Sequence, residues 1–421
     1  MVSTNNTRWL RGMWTILKCG IKTIVFSAYI IVVSTFVMFS LFEVFPSLLD
    51  QVNLQKIRYY AQRAEYLSDP DLVFVPRRGE RTLMSEVFTG DQYSEAYGVD
   101  VLPIRYQASY TSDGFRSNSS AAPFDVLVLG DSYIEVGESD DSTFSEQLKQ
   151  VSGFSTMNLG RGWYGPPQYL EVFKRYGLRT QAPYALMAFF SGNDAEDTRQ
   201  YMRWERGGEG GDYYSFIVGR TNFFIRYLHA VRDTFVMIRD WYKPYFTGRL
   251  ATAGMALAYE GRSKEIHPDL GMIQLHDHVV PMAFTYWNQH VSSRELLERD
   301  EWKRIRAVLH QFKSVADEHR ILPLVMFIPT KIEVYGRLFK EESGKTFLMK
   351  VGDQLKFDTN SSDALEVICR EEGIDLVNLL PRFRALAGQG NVLYFPFDTH
   401  WNRAGRKAAA EEVAEMIRNR P

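Results

Sequence analysis

The side chains best suited to chemistry in this sequence are a serine, a histidine and an aspartate at two distant points. Ser132 follows the apolar run Val126–Gly130, while Asp398 and His400 flank one residue within FPFDTHWN near the C-terminus. A serine hydroxyl is a weak nucleophile at neutral pH and needs a base that removes its proton. Histidine suits that task because its unperturbed pKa lies near neutrality, and a carboxylate fixes the imidazole tautomer. These residues predict a Ser132–His400–Asp398 catalytic triad, provided that the fold brings the two points together.

Strands that alternate with helices would supply such a fold. From residue 124 onward, short apolar runs alternate with helical patterns, which predicts an α/β fold with a parallel sheet covered on both faces. Open α/β sheets keep their ligand sites at the carboxyl ends of the strands, and Ser132 stands at the end of the first strand. The predicted strands are 126–130, 155–159, 184–190, 322–328 and 374–379, and the predicted helices are 143–151, 166–176, 301–319, 362–372 and 403–419.

The N-terminal region contains an uncharged apolar run, Ile24–Phe42, which is about as long as a membrane-spanning helix. Basic residues but no acidic ones precede it, so the positive-inside rule places the N-terminus in the cytoplasm. A cleaved signal peptide is the alternative, but the run is long for one and no small-residue cleavage site follows. We therefore predict a cytoplasmic segment at 1–22, a single transmembrane anchor at 23–48, and the rest of the chain outside the membrane.

Two regions between these features are less regular. Residues 49–121 predict a stalk helix, Asn53–Leu67, followed by an N-terminal flap that lies against the main domain at 122–421. A long insertion at 196–300 interrupts that domain, is rich in aromatic residues and is predicted to be helical. Three interpretations of the insertion stay open: a helical cap with its own core, a platform that stacks on sugars, or a surface that docks on a membrane or a membrane partner.

Composition excludes several other classes of function. The net charge of −2 gives no reason to expect nucleic-acid binding. Cys19 and Cys369 cannot form a disulfide framework, and neither has a motif of a reactive thiol around it. The segment His276-Asp277-His278 lacks a third ligand nearby, so no metal and no cofactor is expected.

Four stretches resemble, in the right order, the blocks of the SGNH (GDSL-like) hydrolase superfamily. They are Gly-Asp-Ser at 130–132, NLGRGWYG at 158–165, Gly-Asn-Asp at 192–194 and DTHWN at 398–402. A further stretch, YTSDGFR at 110–116, resembles a segment that precedes the first block in membrane-anchored members. The resemblance implies a flavodoxin-like three-layer α/β/α fold, with Ser132 as nucleophile, His400 as base and Asp398 as orienting acid.

The resemblance also implies an oxyanion hole made of the Ser132 backbone N–H, a backbone N–H of the second block and the Asn193 side chain. The second donor is usually a glycine five residues after the asparagine of that block; here the position holds Trp163, with Gly162 beside it. Trp163 can donate its N–H if its φ is negative. A positive φ would strain it, or the role would pass to Gly162.

Other residues near these blocks receive simpler interpretations. Asp131 is expected to be a turn and capping residue, and the aromatic Tyr133 is given no special role. The charged residues of the last helix, 403–418, are expected to form a solvated face.

As a whole, the resemblance implies a membrane-anchored serine esterase of the bacterial periplasm that acts on acyl esters, often acetyl esters of carbohydrate. One alternative is an O-acyltransferase for cell-envelope polysaccharide that works with an integral-membrane acyl donor protein. The DTHW sequence is similar to that of the O-acetyltransferases of exopolysaccharide assembly, although the Asp-His pair often precedes the serine there and follows it here. A second alternative is a scaffold subunit of a membrane complex with little activity.

Overall fold

The computed structural model describes residues 5–44, 66–76, 81–85, 106–118, 120–207, 224, 227–228, 231–232, 235, 270–276, 278–283, 291–339, 350–351, 354–355, 359–396 and 398–420. The chain divides into two compact units. One comprises Met1–Leu67 and Phe216–Ala253, and the other comprises Ser68–Ser215 and Gly254–Pro421. The predicted stalk helix lies largely outside the described residues, as does a glycine-rich stretch of the insertion at 207–211.

A parallel sheet of five strands forms the centre of the second unit. Its strand order is β13-β10-β7-β5-β6, and each neighbouring pair is parallel. With β5 as the first strand of the sheet, this is the flavodoxin-like order, so the predicted α/β fold is confirmed. In chain order the described strands are β1 (Tyr66–Asp69), β2 (Val73–Pro76), β3 (Arg81–Ser85), β4 (Tyr106–Tyr110), β5 (Val126–Gly130), β6 (Thr156–Gly160), β7 (Tyr184–Phe190), β8 (Leu270–Leu275), β9 (His278–Ala283), β10 (Leu322–Ile328), β11 (Lys350–Val351), β12 (Gln354–Leu355) and β13 (Asp375–Asn378).

Helices follow the strands of the sheet and form two packed groups. The described helices are α1 (Asn5–Val44), α2 (Ser132–Glu135), α3 (Phe144–Ser152), α4 (Pro166–Val172), α5 (Asp194–Glu205), α6 (Ser293–Glu298), α7 (Asp300–Glu318), α8 (Lys331–Tyr335), α9 (Ser361–Glu372), α10 (Leu380–Gly388) and α11 (Arg403–Arg418). The last helix, α11, packs against α3, whereas α7 packs against α4, α5 and α9. Two such groups are expected for helices that cover the two faces of a doubly wound sheet.

Local sequence explains where these helices begin. The Thr143 side chain accepts a hydrogen bond from Glu146 N–H and so caps α3, and Asn402 caps α11 through Gly405 N–H. Two prolines open α4, where a missing N–H has no intrahelical partner to lose. The predicted starts of these helices therefore agree with the structure to within one residue.

The strands at the centre of the sheet are apolar because both of their faces are covered. All five residues of β5 are buried, as are all but the first residue of β7 and of β10. Burial of Val, Leu, Met and Phe side chains removes about 25 cal/mol of unfavourable hydration per Å² of apolar surface. The thiol of Cys369 is buried on α9, and burial raises its pKa to about 12, which makes it an inert packed thiol.

Two regions differ from the predictions. The insertion is not wholly helical, because β8 and β9 form an antiparallel hairpin in which Ile273, Leu275 and Met282 are buried. The segment read as a candidate metal pair lies at its turn, where His276 has a φ of 46°. The end of the predicted stalk helix is also wrong, since Tyr66–Asp69 is a strand.

The first unit is built on α1. It contains one stretch, Ile21–Leu41, that is long and apolar enough to cross a membrane. The Tyr227 hydroxyl donates a hydrogen bond of 2.7 Å to the backbone oxygen of Val32, and the Tyr227 ring packs edge-on against Phe36. Part of the insertion therefore packs along the apolar stretch of α1.

Candidate active site

Ser132 lies at the first position of α2, where β5 ends. Asp131 caps this short helix, because its Oδ1 accepts a hydrogen bond of 2.8 Å from the backbone N–H of Tyr133. In the sheet β5 lies between β6 and β7, the strands reached by connections that run in opposite directions. This is the topological switch point, where open α/β sheets leave a crevice for ligands.

The loop before α11 brings the other two polar side chains to the same point. His400 Nε2 lies 2.8 Å from Ser132 Oγ, although 268 residues separate them, and His400 Nδ1 lies 2.5 Å from Asp398 Oδ1. Asp398 Oδ1 also accepts a hydrogen bond of 2.7 Å from the backbone N–H of His400. With Nδ1–H donating to Asp398, Nε2 carries the lone pair that can accept the serine proton. The predicted triad residues are thus in the geometry of a nucleophile, a base and an orienting acid.

The loop after β6 lies beside the serine. A Cβ placed on Gly162 would be 3.6 Å from Ser132 Cβ, so the backbone passes close to the nucleophile. The Gly162 N–H donates a hydrogen bond of 2.7 Å to Glu135 Oε2, and Arg161 also binds the Glu135 carboxylate. That N–H is therefore already committed to a carboxylate, which argues against the predicted oxyanion role of Gly162.

Trp163 is the other predicted donor on this loop, and its backbone is unusual. Its φ is 73°, in the left-handed region that favours glycine, and its side chain is 46% exposed. The condition of a negative φ, which the sequence placed on Trp163 as a donor, is not met. For a positive φ the sequence left two outcomes: a strained Trp163 as donor, or Gly162 in its place. Because the Gly162 N–H is occupied by Glu135, Trp163 stays the candidate donor of this loop and carries the strain.

Asn193, the remaining predicted oxyanion residue, flanks the start of α5. Its side-chain amide is close enough to Asp131 to lower the pKa of that carboxyl group. Since Asp131 directly precedes Ser132, the structure places Asn193 at the same strand edge as the nucleophile. Its carbonyl oxygen Oδ1 is buried and has no hydrogen-bond partner among the described residues.

Comparison with known protein families gives a match for the C-terminal part of the chain. Residues 290–421 match the family model described as "SGNH hydrolase-like domain, acetyltransferase AlgX". This region is an SGNH hydrolase-like domain. The resemblance found in the sequence is thereby confirmed, and the matched part of the chain includes Asp398 and His400.

Other comparisons give distant likenesses. The chain is similar to the crystal structure of an acetyl xylan esterase, AlAXEase, with 9% identity, a TM-score of 0.35, and coverage of 69% of this chain and 98% of that one. It is also similar to protein YxiM of Bacillus subtilis, with 9% identity, a TM-score of 0.32, and coverage of 82% and 75% respectively. No curated protein sequence matches the chain.

Outside the matched region, Tyr133 holds the histidine loop against the nucleophile turn. Its hydroxyl donates a hydrogen bond of 2.5 Å to the backbone oxygen of Thr399, and its ring centroid lies 5.1 Å from that of His400. In return, Trp401 Nε1 donates a hydrogen bond of 3.0 Å to the Tyr133 backbone oxygen. The sequence interpretation gave Tyr133 no role, and this was wrong. No local signal in the sequence marks this role, because Tyr133 and Thr399 lie 266 positions apart.

Arg406 on α11 also binds the loop that carries His400, through the backbone oxygen of Trp401. Its guanidinium is fully buried, donates to the backbone oxygens of Trp401 at 3.0 Å and Ser142 at 2.6 Å, and forms an ion pair with Glu138. The expectation that the charges of this helix form a solvated face was wrong for Arg406. The prediction failed because a charged residue can be buried when it is paired and hydrogen-bonded.

Three buried aspartates surround the base of the site. Burial raises the pKa of Asp131 to about 6, although hydrogen bonds and the charge of His400 oppose the shift. Burial also raises the pKa values of Asp194 and Asp197 well above the ordinary value, and in each case the charge of Asp131 adds to the effect. Burial in this part of the domain therefore favours the protonated forms of these carboxyl groups more than water does.

Proposed function

We propose that the protein is a membrane-anchored serine esterase that removes acyl groups, such as acetyl, from carbohydrate outside the cytoplasmic membrane. The observation that carries this proposal is the pair of contacts made by His400, at 2.8 Å to Ser132 Oγ and 2.5 Å to Asp398 Oδ1. A scaffold protein that had lost its activity would have no reason to keep this alignment. The alternative of an inactive subunit is therefore less favoured.

The geometry supports a double displacement. Ser132 Oγ attacks the ester carbonyl carbon while His400 Nε2 takes the hydroxyl proton, and Asp398 stabilises the imidazolium that forms. His400 then returns the proton to the leaving sugar oxygen as the C–O bond breaks, which leaves an acyl group on Ser132. Water, deprotonated by His400, attacks this acyl-enzyme and releases the carboxylic acid.

The negative charge on the carbonyl oxygen needs donors at the same strand edge. We assign this role to the backbone N–H groups of Ser132 and Trp163 and to the side-chain amide of Asn193. Preorganised donors are effective because they need no reorganisation as the charge develops, and removal of one donor lowers kcat by about 10²–10³. Gly162 is left out of this set because its N–H binds Glu135.

Two features support a carbohydrate ester outside the membrane as the substrate. The apolar stretch Ile21–Leu41 is long enough to hold the chain in a membrane, with basic residues before it. The exposed indole of Trp163, next to the nucleophile loop, offers a flat apolar surface of the kind that packs against a sugar ring.

A second candidate is transfer of the acyl group to a sugar hydroxyl instead of water. The family description of the matched region names an acetyltransferase, AlgX, which favours this candidate. The chemistry up to the acyl-enzyme is the same, so the two functions differ only in the acceptor. An integral-membrane partner would then supply the acyl donor.

The test is covalent labelling of the purified full-length protein with a fluorophosphonate probe. Wild type should be labelled, and both Ser132→Ala and His400→Gln should lose labelling by about a thousandfold or more, because the nucleophile and its base act as one unit. Ser139→Ala is the matched control, since its hydroxyl binds Asp141 and no histidine. Equal labelling of wild type and Ser132→Ala, or none in folded wild type, would reject the proposed function.

Acetate release from an acetylated oligosaccharide then separates the two candidates. A hydrolase should release free acetate at the same rate with and without an added unacetylated oligosaccharide. A transferase should convert that acceptor into its acetyl ester and release less acetate.

A further inference from the structure

The carboxylate of Glu135 joins the nucleophile turn to the loop after β6, residues 161–165. Glu135 lies three residues after Ser132 on α2, and residues at this spacing are neighbours on one side of a helix. Its Oε2 accepts a hydrogen bond of 2.7 Å from the backbone N–H of Gly162, and its Oε1 lies 2.5 Å from Arg161 Nη1. The two carboxylate oxygens therefore bind two consecutive residues of the loop.

The chain that enters this loop also lies directly against α2 and the end of β5. The Arg161 N–H donates a hydrogen bond of 2.9 Å to the backbone oxygen of Gly130, and Asn158 Nδ2 donates one of 3.0 Å to that of Ile134. A Cβ placed on Gly160 would lie 2.5 Å from the Cβ of Ile134, so this close approach requires a glycine. The start of the loop is therefore in contact with the elements that carry the nucleophile.

The ion pair between Glu135 and Arg161 is largely buried, with side chains that are 13% and 3% exposed. A buried ion pair is weak evidence for stability, because two apolar side chains of similar volume often stabilise a fold as well or better. Apolar side chains cannot accept a hydrogen bond from the Gly162 N–H. The distinctive contribution of the carboxylate is therefore an acceptor that fixes the direction of this N–H.

That direction matters because Trp163 follows immediately. The Tyr164 N–H donates a hydrogen bond of 3.2 Å to the backbone oxygen of Arg161, which closes a turn with Gly162 and Trp163 at its centre. The two dihedral angles of Gly162 separate its own N–H from that of Trp163. Glycine is the least restrained residue, so a hydrogen bond to Gly162 restricts the turn where the chain itself does so least.

We propose that Glu135 is a positioning residue, whose carboxylate holds this turn at the distance from Ser132 where the Trp163 N–H meets the substrate oxyanion. The inference rests on the proposed function, which gives the Trp163 N–H that role. Without the carboxylate, the turn is free to move away from the nucleophile. An oxyanion donor acts on the transition state, so its displacement lowers kcat and leaves KM nearly unchanged.

Three variants separate the acceptor from the ion pair. Glu135→Leu has a similar volume and removes both. Glu135→Gln loses the charge but keeps an amide oxygen that can accept the Gly162 N–H. Arg161→Met is the matched control, because it breaks the same ion pair and leaves the Glu135 carboxylate bound to Gly162. All three should lower the unfolding midpoint, whereas the acceptor is missing only in Glu135→Leu.

The kinetic measurement is hydrolysis of p-nitrophenyl acetate by the purified full-length proteins. Glu135→Leu should lower kcat by about a hundredfold, the contribution of one oxyanion donor, with KM changed less than about threefold. Glu135→Gln should recover most of this loss, and Arg161→Met should lose less than about threefold. A kcat that follows the unfolding midpoint through the series would overturn the proposal. So would a rise of kcat in Glu135→Leu, since it would mean that the carboxylate withholds the Gly162 N–H from the oxyanion.

A double variant keeps the test valid if Glu135→Leu does not fold. That single variant leaves the Arg161 guanidinium buried without its carboxylate, which is strongly destabilising. Glu135→Leu combined with Arg161→Met replaces the pair with apolar side chains and should fold. Its kcat should again be about a hundredfold below wild type, and a folded double variant with the kcat of Arg161→Met would overturn the proposal.

The position of the turn can be measured without catalysis, by amide hydrogen exchange and mass spectrometry of a peptide that contains residues 161–165. Exchange should be about tenfold faster in the double variant than in Arg161→Met, and equal exchange in the two proteins would contradict the role of Glu135. If exchange changes as expected but the wild type hydrolyses no ester, Glu135 still holds the turn and the proposed function is rejected instead.

Discussion

At the scale of single residues, Trp163 combines a left-handed backbone conformation with an exposed indole, and the fold requires neither. A residue with a Cβ in the left-handed region is destabilised by about 1–2 kcal/mol relative to ordinary backbone. Glycine at position 163 would remove this strain. The loop does contain glycines, at 160, 162 and 165, but none of them has the positive φ. Strain of this kind persists mainly where the side chain or the backbone N–H serves a site. We therefore expect the indole to contribute to substrate binding.

Substitutions at Trp163 should separate its ring from its backbone. Trp163→Gly should raise the stability by about 1 kcal/mol, because glycine accepts a positive φ. Trp163→Ala should keep the strain. Both variants should raise KM for an acetylated oligosaccharide by about tenfold, which corresponds to about 1.4 kcal/mol of lost ring contact. Trp163→Phe should restore most of the binding.

The control substrate for this series is p-nitrophenyl acetate, which has no sugar ring to pack on the indole. Its kcat/KM should change less than about threefold in Trp163→Ala, because the backbone N–H is retained. Equal losses for both substrates would show that the ring supports the loop and does not bind sugar. Stability is read from the unfolding midpoint of each purified variant.

The residues that do chemistry could be predicted from the sequence because their signals are local. Ser132 stands at a strand end, and Asp398 and His400 lie within one short motif. Tyr133 and Glu135 could not be assigned in this way, because their roles depend on contacts with Thr399 and the loop after β6. A contact between residues 266 positions apart leaves no periodic pattern in the chain.

At the scale of elements, α11 and the loop before it act as one clamp on the nucleophile turn. Arg406 joins the clamp to the loop before α3 through Glu138 and the Ser142 backbone oxygen. Burial raises the pKa of Glu138, but the Arg406 charge and hydrogen bond outweigh this effect, and the net pKa is lowered. The pair is therefore ionised at neutral pH and depends on both partners.

Removal of Arg406 should disturb both stability and activity. Arg406→Ala leaves Glu138 largely buried without its cation and the Trp401 oxygen without its donor, so we expect a loss of about 3–5 kcal/mol. Because Trp401 follows His400, kcat should fall more than KM rises. Thermal unfolding and ester hydrolysis of the purified variant measure the two effects.

Arg403→Ala is the control on the same helix. Arg403 pairs with Asp141, and both side chains are 55% exposed, so its loss should change the free energy of unfolding by less than about 1 kcal/mol. If both variants lost a similar free energy of unfolding, the effect would come from the net charge of the helix and not from the buried contacts of Arg406.

The elements themselves were predictable to different degrees. Strands buried on both faces are continuous apolar runs, and the predicted bounds of β7 and β10 agree with the structure. The hairpin of β8 and β9 was missed because Gly271 and Pro281 weaken the strand signal, and the aromatic residues before it suggested helices. Its strands pair with each other and not with the central sheet, so the alternating pattern of strands and helices gave no hint of them.

At the scale of the whole domain, buried carboxyl groups set how stability depends on pH. Asp131, Asp194, Asp197 and Glu333 all have pKa values raised by burial. A raised pKa means that the folded state binds the proton more tightly than the unfolded state does. Stability from these groups is therefore complete below the ordinary pKa and falls as the pH rises through the folded pKa.

Glu138 contributes in the opposite sense, since its pKa is lowered. Its contribution is present above the ordinary pKa of a glutamate and is lost as the pH falls through the folded value. The two trends together predict that the unfolding midpoint of the domain is highest near the ordinary carboxyl pKa values, at about pH 4 to 4.5, and declines on both sides. Circular dichroism at a series of pH values measures this profile.

Asp131→Asn should flatten the decline on the alkaline side. The shift of the Asp131 pKa from 3.8 to about 6 corresponds to about 3 kcal/mol, which is an upper limit for the stability that wild type loses when Asp131 ionises. The variant keeps the acceptor for the Tyr133 N–H and has no charge to bury, so it should be more stable than wild type at pH 8. Below the ordinary pKa of 3.8, where Asp131 is protonated in both the folded and the unfolded state, the two proteins should unfold at nearly the same temperature. A variant less stable than wild type at pH 8 would show that the carboxylate is needed in the fold, and that its burial is compensated by contacts beyond those with Tyr133 and Asn193.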